Sequence, residues 1–255
     1  MRLVIFGSGN VATHIANPLS RHHDIIQIVS RDPEHADRLA KMIGGSVEAT
    51  THLSEVKDDA DAYIISVNDD SIAAIAANTP ANGLWMHTSG SIGMEVFLGH
   101  KQRYGVLYPL QTFSRDVPVD MRKVPIFIEG NDSGSTVGID TLAKSISRQI
   151  YHANSSQRRQ LHIAAVFACN FANRLWAIAD DILKEAGYDF SVLSPLLKAT
   201  LEKAERTSPA EGQTGPARRG DREVMESHLN SLDTENAEIY KIISKSIFNQ
   251  YNEQN

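Results

Sequence analysis

The stretch Leu3–Val4–Ile5–Phe6–Gly7–Ser8–Gly9–Asn10–Val11–Ala12 constrains this chain more than any other. Four consecutive apolar residues read as a buried parallel strand. Gly7-x-Gly9-x-x-Ala12 follows at once and opens an amphipathic run from Val11 to Leu19. That is the strand–turn–helix order of a dinucleotide-binding fingerprint. Gly7 permits the tight turn, Gly9 lets the backbone approach a pyrophosphate, and Ala12 lets the helix pack closely on the strand. The start of the helix offers free N–H groups and the positive end of its dipole to phosphates. Gly7, Ser8, Gly9, Asn10 and Val11 are therefore the expected pyrophosphate contacts.

The next strand, Ile25–Val29, says which dinucleotide to expect. Where an NAD site places an acid for the ribose 2′-hydroxyl, this strand ends in Ser30–Arg31. A hydroxyl beside a guanidinium suits a 2′-phosphate, so the expected cofactor is NADP. Asp32 stands just before Pro33 and reads as a helix N-cap. Pro18 falls inside the first helical run and predicts a kink or an early end near Asn17.

Further strands are expected at Ala62–Val67, Leu84–His87, Arg103–Pro109, Val124–Glu129 and Gln149–His152, with helices between most of them. Pro125 places its strand at an edge or makes it the first strand position. The alternation predicts a mostly parallel sheet with helices on both faces. Val67 and Asn68, at a strand's C-terminal end, join the expected cofactor contacts. His87 and the following Thr88–Ser89–Gly90–Ser91–Ile92–Gly93 form a donor-rich loop suited to holding a carbonyl or carboxylate. A helix N-cap at Ser89 or Ser91 is the alternative use of the same residues.

After about residue 153 the character changes and helices alone are expected: Gln157–Ala186, Val192–Arg206, Asp221–Leu232 and Thr234–Tyr251. The fold class is thus α/β, with a Rossmann-type domain at 1–153 and an all-α domain for substrate and dimerisation at 154–255. At 100° per residue, His162, Asn170 and Asn173 fall on one stripe of the first long helix. Buried polar residues on an apolar helix need partners, so the stripe is either a wall of the site or a set of interhelical hydrogen bonds.

Composition narrows the function. With 31 acidic and 25 basic residues the net charge is −6, which argues against a nucleic-acid or membrane-surface partner. No uninterrupted apolar run has the length of a membrane span, and the opening residues lack a signal peptide's pattern. Cys169 is the single cysteine; an intrachain disulfide is excluded, and a cytoplasmic location and a buried filler role are expected. The histidines show no His-x-x-x-His spacing, so no metal site is expected.

Three local patterns carry a family resemblance: His87–Thr88–Ser89–Gly90, His162–Phe171 (HIAAVFACNF), and Thr214–Asp221 (TGPARRGD). With the domain layout they resemble a branch of NADP oxidoreductases that joins a Rossmann-like domain to a C-terminal domain of unknown function (DUF2520). The branch is similar to the 6-phosphogluconate-dehydrogenase-like superfamily, which includes pyrroline-5-carboxylate and ketopantoate reductases. Ketopantoate reductases carry Lys-x-x-x-Asn-x-x-x-Asn on the corresponding helix. Here the positions hold His162, Val166 and Asn170, so only the last matches. The resemblance implies hydride transfer between NADP and a small carbonyl or imine, and a homodimer through the helical domain. His162 is then the expected proton donor, with Ser89 and Asn170 orienting the substrate beside His87, Gly90 and Asn173. Gly215–Asp221 reads as a rigid turn presenting Arg218 or Arg219 to an anionic substrate, with Asp221 capping the next helix. A non-catalytic NADP-binding sensor is the competing reading; it keeps the fingerprint and loses the proton donor.

Overall fold

The computed structural model describes residues 1–252. Its order is β1 (Arg2–Phe6), α1 (Asn10–Ser20), β2 (Asp24–Val29), α2 (Pro33–Ile43), β3 (Glu48–Thr50), β4 (Ala62–Ile65), α3 (Asp69–Asn78), β5 (Leu84–His87), β6 (Arg103–Pro109), β7 (Pro125–Gly130), α4 (Ser133–Ile146) and β8 (Gln149–His152). Helices follow: α5 (Ser155–Ala165), a π-helical segment Val166–Phe171, α6 (Ala172–Glu185), α7 (Ser194–Arg206), the short α8 (Pro209–Gly212) and α9 (Pro216–Arg219), α10 (Arg222–Asn230) and α11 (Thr234–Asn252).

The eight strands form one sheet in the order β3-β2-β1-β4-β5-β6-β7-β8. All pairs are parallel except β6 with β7. Pro125 is the first residue of β7, where its missing N–H costs least. Strand alternation feeds two cores, one on each face. Leu3, Ile5, Ile64 and Met86 enter one with α1 and α4, while Val4, Phe6, Tyr63, Ile65 and Trp85 enter the other. This double burial is why the strands read as unbroken apolar runs. Between β1 and β4 the strand order reverses, and a crevice opens there at the strand ends.

Caps fix the helix starts. Asp32 Oδ1 accepts from the His35 amide at 3.0 Å, and Asn154 and Gln157 form a reciprocal capping box. Two sequence expectations need correction. Helix α1 does not end near Asn17 but runs through Pro18 to Ser20; Pro18 lies in the last turn, where its missing N–H forfeits one bond only. Asp221 occupies the N-cap position of α10 but makes no capping bond, because its carboxylate is held by Arg219 at 2.7 Å.

The chain divides into two compact units, Met1–Asn170 and Phe171–Asn255. The division falls inside the long helix rather than at residue 153, since the first turns of that helix are anchored on the sheet by the buried Arg158. The helix Ser155–Glu185 is long and apolar enough to cross a membrane by composition, although no uninterrupted apolar run announces it. Its first turns carry Arg158, which is buried against the sheet.

Candidate active site

The crevice between β1 and β4 is a cleft of about 630 Å³. Gly7, Ser8, Gly9, Asn10, Val11, Ser30, Arg31, Val67 and Asn68 all line it, with Thr88 and Ser89 at its other end. Gly7 has φ +109°, and a Cβ there would fall on the Ser66 carbonyl; both facts demand glycine. At Gly9 a Cβ would meet nothing within 4 Å. The space above the helix start is open, as a phosphate cradle requires. The Ser8 and Ser30 hydroxyls share a hydrogen bond at 2.8 Å, joining the fingerprint turn to the end of β2. Arg31 is exposed at the cleft. The Asn10 side chain points elsewhere: its amide donates to the Phe113 carbonyl at 2.9 Å.

The loop after β5 is built on its own backbone. The Ser89 hydroxyl accepts from the Ser91 and Ile92 amides at 3.1 and 3.0 Å, so it shapes a turn and caps no α-helix. His87 is wholly buried beneath the loop. Its Nδ1 accepts from the Ser89 amide at 3.2 Å, and its ring stacks on Phe97 at 5.7 Å. Burial, helped by the Arg158 charge, pushes its pKa down to about 3, with the Gly93 backbone opposing. His87 is therefore a neutral support at physiological pH.

Arg158 locks this loop to the sheet. It is 1% exposed. Its Nη1 pairs with Glu129 at 2.6 Å, its Nε donates to the Ser89 carbonyl at 3.2 Å, and its Nη2 donates to the Ile92 carbonyl at 2.6 Å. Glu129 is completed by the Ser155 amide and hydroxyl at 2.9 and 2.7 Å. A buried charge needs such a complete set of partners.

One helical turn further, His162 Nδ1 lies 3.2 Å from the Tyr108 hydroxyl. Gly90 makes room for this pair, since a Cβ there would come within 2.8 Å of both His162 Nδ1 and Tyr108 Cζ. Burial raises the Tyr108 pKa, against the lowering effect of Arg158. Ser89, Gly90 and His162, three residues chosen from sequence, are thus brought together. Asn170 and Asn173 are exposed. The π-helical segment between His162 and Asn173 breaks the 100° register that put them on one stripe. Cys169 is exposed rather than buried. Arg218 donates to the carbonyls of Glu211 and Gln213 and stacks over Tyr251 at 4.9 Å. Arg219 is held by Asp221. Both guanidinium groups therefore have partners inside the helical unit. Tyr108, Glu129 and Arg158 escaped the sequence reading, though Tyr108 stands at a strand's C-terminal end, where such sheets carry their functional groups.

Residues 2–86 match the family described as NADP oxidoreductase coenzyme F420-dependent, and residues 124–247 match the domain of unknown function DUF2520. A crystal structure from Bacteroides fragilis, classed as an NADP oxidoreductase, is 38% identical over 97% of each chain, with a TM-score of 0.91. The chain belongs to this NADP oxidoreductase family. A Thermotoga maritima protein is 22% identical over 98% of this chain and 99% of its own, with a TM-score of 0.79. The fold is also that of a reductive aminase from Aspergillus terreus, solved with NADPH and ethyl-5-oxohexanoate: 15% identity, 96% and 87% coverage, TM-score 0.64. Among curated proteins none matches the sequence. As an NADP-dependent oxidoreductase, the chain fits its cofactor by the open cradle at Gly9, the fingerprint amides and the Ser30–Arg31 strand end. Bound there, NADPH supplies the hydride.

Proposed function

We propose that this NADP-dependent oxidoreductase reduces a small carbonyl or imine compound, with Tyr108 and His162 delivering the proton. The observation that carries the reading is the 3.2 Å contact between Tyr108 and His162, packed against Gly90, next to the Ser89 end of the cofactor cleft. Reduction of a C=O or C=N bond leaves an oxygen or nitrogen that must gain a proton. Burial raises the Tyr108 pKa, which keeps the hydroxyl protonated and able to donate. His162 then returns the proton to it. Ser89 belongs to the loop that would face the reacting bond, with Asn170 as a further polar contact. The reductive aminase with the same fold was solved with a keto ester, which supports a carbonyl or imine substrate. The substrate is proposed to be anionic.

The same reading makes the protein a homodimer. In the helical unit Tyr188, Val192, Leu196, Leu201 and Ile242 are between 53% and 68% exposed, and a second copy is the occupant that would cover them. It also places the enzyme in the cytoplasm, where one cysteine stays reduced.

The test is NADPH oxidation with a panel of cyclic imines and keto acids. Tyr108→Phe and His162→Ala should each lower kcat about 100-fold, in the range of lost general acid catalysis, and leave NADPH affinity unchanged. A wild-type protein that binds NADPH but oxidises it with no substrate would favour the sensor instead. Variants with full activity would remove the pair from the mechanism.

A further inference from the structure

The cleft is short of positive charge for the ligand it takes. NADPH carries a pyrophosphate and a 2′-phosphate. Among the described residues lining the cleft, Arg31 is the one arginine or lysine, and Asp32 and Asp69 line it too. The start of α1 adds backbone amides and a partial charge, but Gly7 to Val11 contain no basic side chain.

A second cation reaches the turn from outside the fingerprint. After β6 the segment 110–119 crosses the start of α1 and is pinned there at three points. Asn10 Nδ2 donates to the Phe113 carbonyl at 2.9 Å. Arg115 Nη2 donates to the Ser8 carbonyl at 3.1 Å. His14 Nε2 lies 3.1 Å from the Val117 carbonyl, and the His14 and Phe113 rings pack with centroids 4.8 Å apart. The bond to Ser8 uses one of the five guanidinium donors. Ser8 belongs to the turn whose amides cradle the pyrophosphate.

We propose that Arg115 is the pyrophosphate-binding cation of this enzyme, carried over the fingerprint turn by the segment 110–119. The two arginines then divide the cofactor between them. Arg31 reads the 2′-phosphate and selects NADP, while Arg115 binds the phosphates common to NADP and NAD and selects neither. The Asn10 side chain serves the cofactor indirectly, by holding the strap that carries Arg115.

Fluorescence and calorimetric titration of the full-length protein with NADPH, NADH and adenosine 2′-monophosphate tests this division. Adenosine 2′-monophosphate has the 2′-phosphate and lacks the pyrophosphate. Arg115→Met should raise Kd about tenfold or more for NADPH and NADH alike, the size of one charge-assisted bond, and leave adenosine 2′-monophosphate unchanged. Arg115→Lys should recover most of the affinity, since it keeps the charge. Arg31→Ala should show the opposite pattern, losing NADPH and adenosine 2′-monophosphate and sparing NADH. The proposal is overturned if Arg115→Met leaves both dinucleotides unaffected. It is overturned equally if adenosine 2′-monophosphate weakens in step with them, or if Arg115→Lys is as poor as Arg115→Met.

Discussion

The sheet unit and the helical unit hold themselves together in different ways. Between β1 and α4 dozens of apolar side chains are buried, many with no exposed surface at all. From Phe171 onward the buried apolar residues are Ala217 and Ala237, among the described residues. Both units have amphipathic elements and caps. In the sheet unit the apolar faces of β1, β4 and β5 are covered on both sides, so its core closes within one chain. The helical unit leaves Leu196, Leu201 and Ile242 more than 60% exposed. Regular secondary structure is therefore a poor sign of self-sufficiency; what matters is whether each apolar stripe meets another.

Three experiments sharpen or break this contrast. The largest effect is expected in the sheet unit at Arg158. Replacing it by Ala leaves Glu129 buried without its cation, at a cost of about 3–5 kcal/mol. Chemical denaturation should show that loss at every protein concentration. Because the loop 89–92 loses its anchor as well, activity should fall further than stability alone explains.

Second in size is an acid sensitivity that also belongs to the sheet unit. His87 titrates near 3 when folded and near 6.5 when unfolded. Between those values the unfolded chain binds the extra proton, so stability falls as pH drops, by roughly 1.4 kcal/mol per pH unit from this group alone. Above about pH 6.5 the contribution is constant. Unfolding curves from pH 7 to 4 measure the slope. His87→Gln should flatten it, and an unchanged slope would mean that other groups control the acid limb.

The smallest effect, and the most diagnostic, is at Leu201, which is 62% exposed. In a monomer Leu201→Ala costs under about 0.5 kcal/mol. Covered by a second copy, it costs more, and the loss grows on dilution. Light scattering of the wild type at micromolar concentration is the companion measurement. A species at the chain mass of 28.1 kDa would end the contrast, since the helical unit would then stand alone.

The sheet was legible because its signals are local. The run Leu3–Phe6 and the turn Gly7–Gly9 declare a strand and its exit without reference to anything distant, and β8 was placed at Gln149–His152 from its own residues. The cofactor cleft was legible for the same reason, as each of its parts follows directly from a strand end. What stayed hidden depends on contacts far apart in sequence. Tyr108 and His162 are 54 positions apart, and Arg158 and Ser89 are 69 apart; nothing near either arginine or tyrosine announces the partner. Arg158 drew no reading from the sequence, and only the sheet beneath it shows that it is buried. Pro18 and Asp221 erred in the other direction. A local rule was applied where position in the last turn, or a competing arginine, decides the outcome.

Arg158 has a consequence for how this enzyme changes over generations. It grips the loop after β5 by the carbonyls of Ser89 and Ile92, and the Ser89 hydroxyl grips the amides of Ser91 and Ile92. At positions 91 and 92 these grips take hold of main chain alone. At Ser91 a substitution other than proline therefore leaves these bonds in place, whereas Ile92 also packs its side chain against the apolar core and is less free to change. A lineage can vary position 91 while the course of the loop stays fixed, whereas Gly90 has no room for a side chain beside His162 and Tyr108.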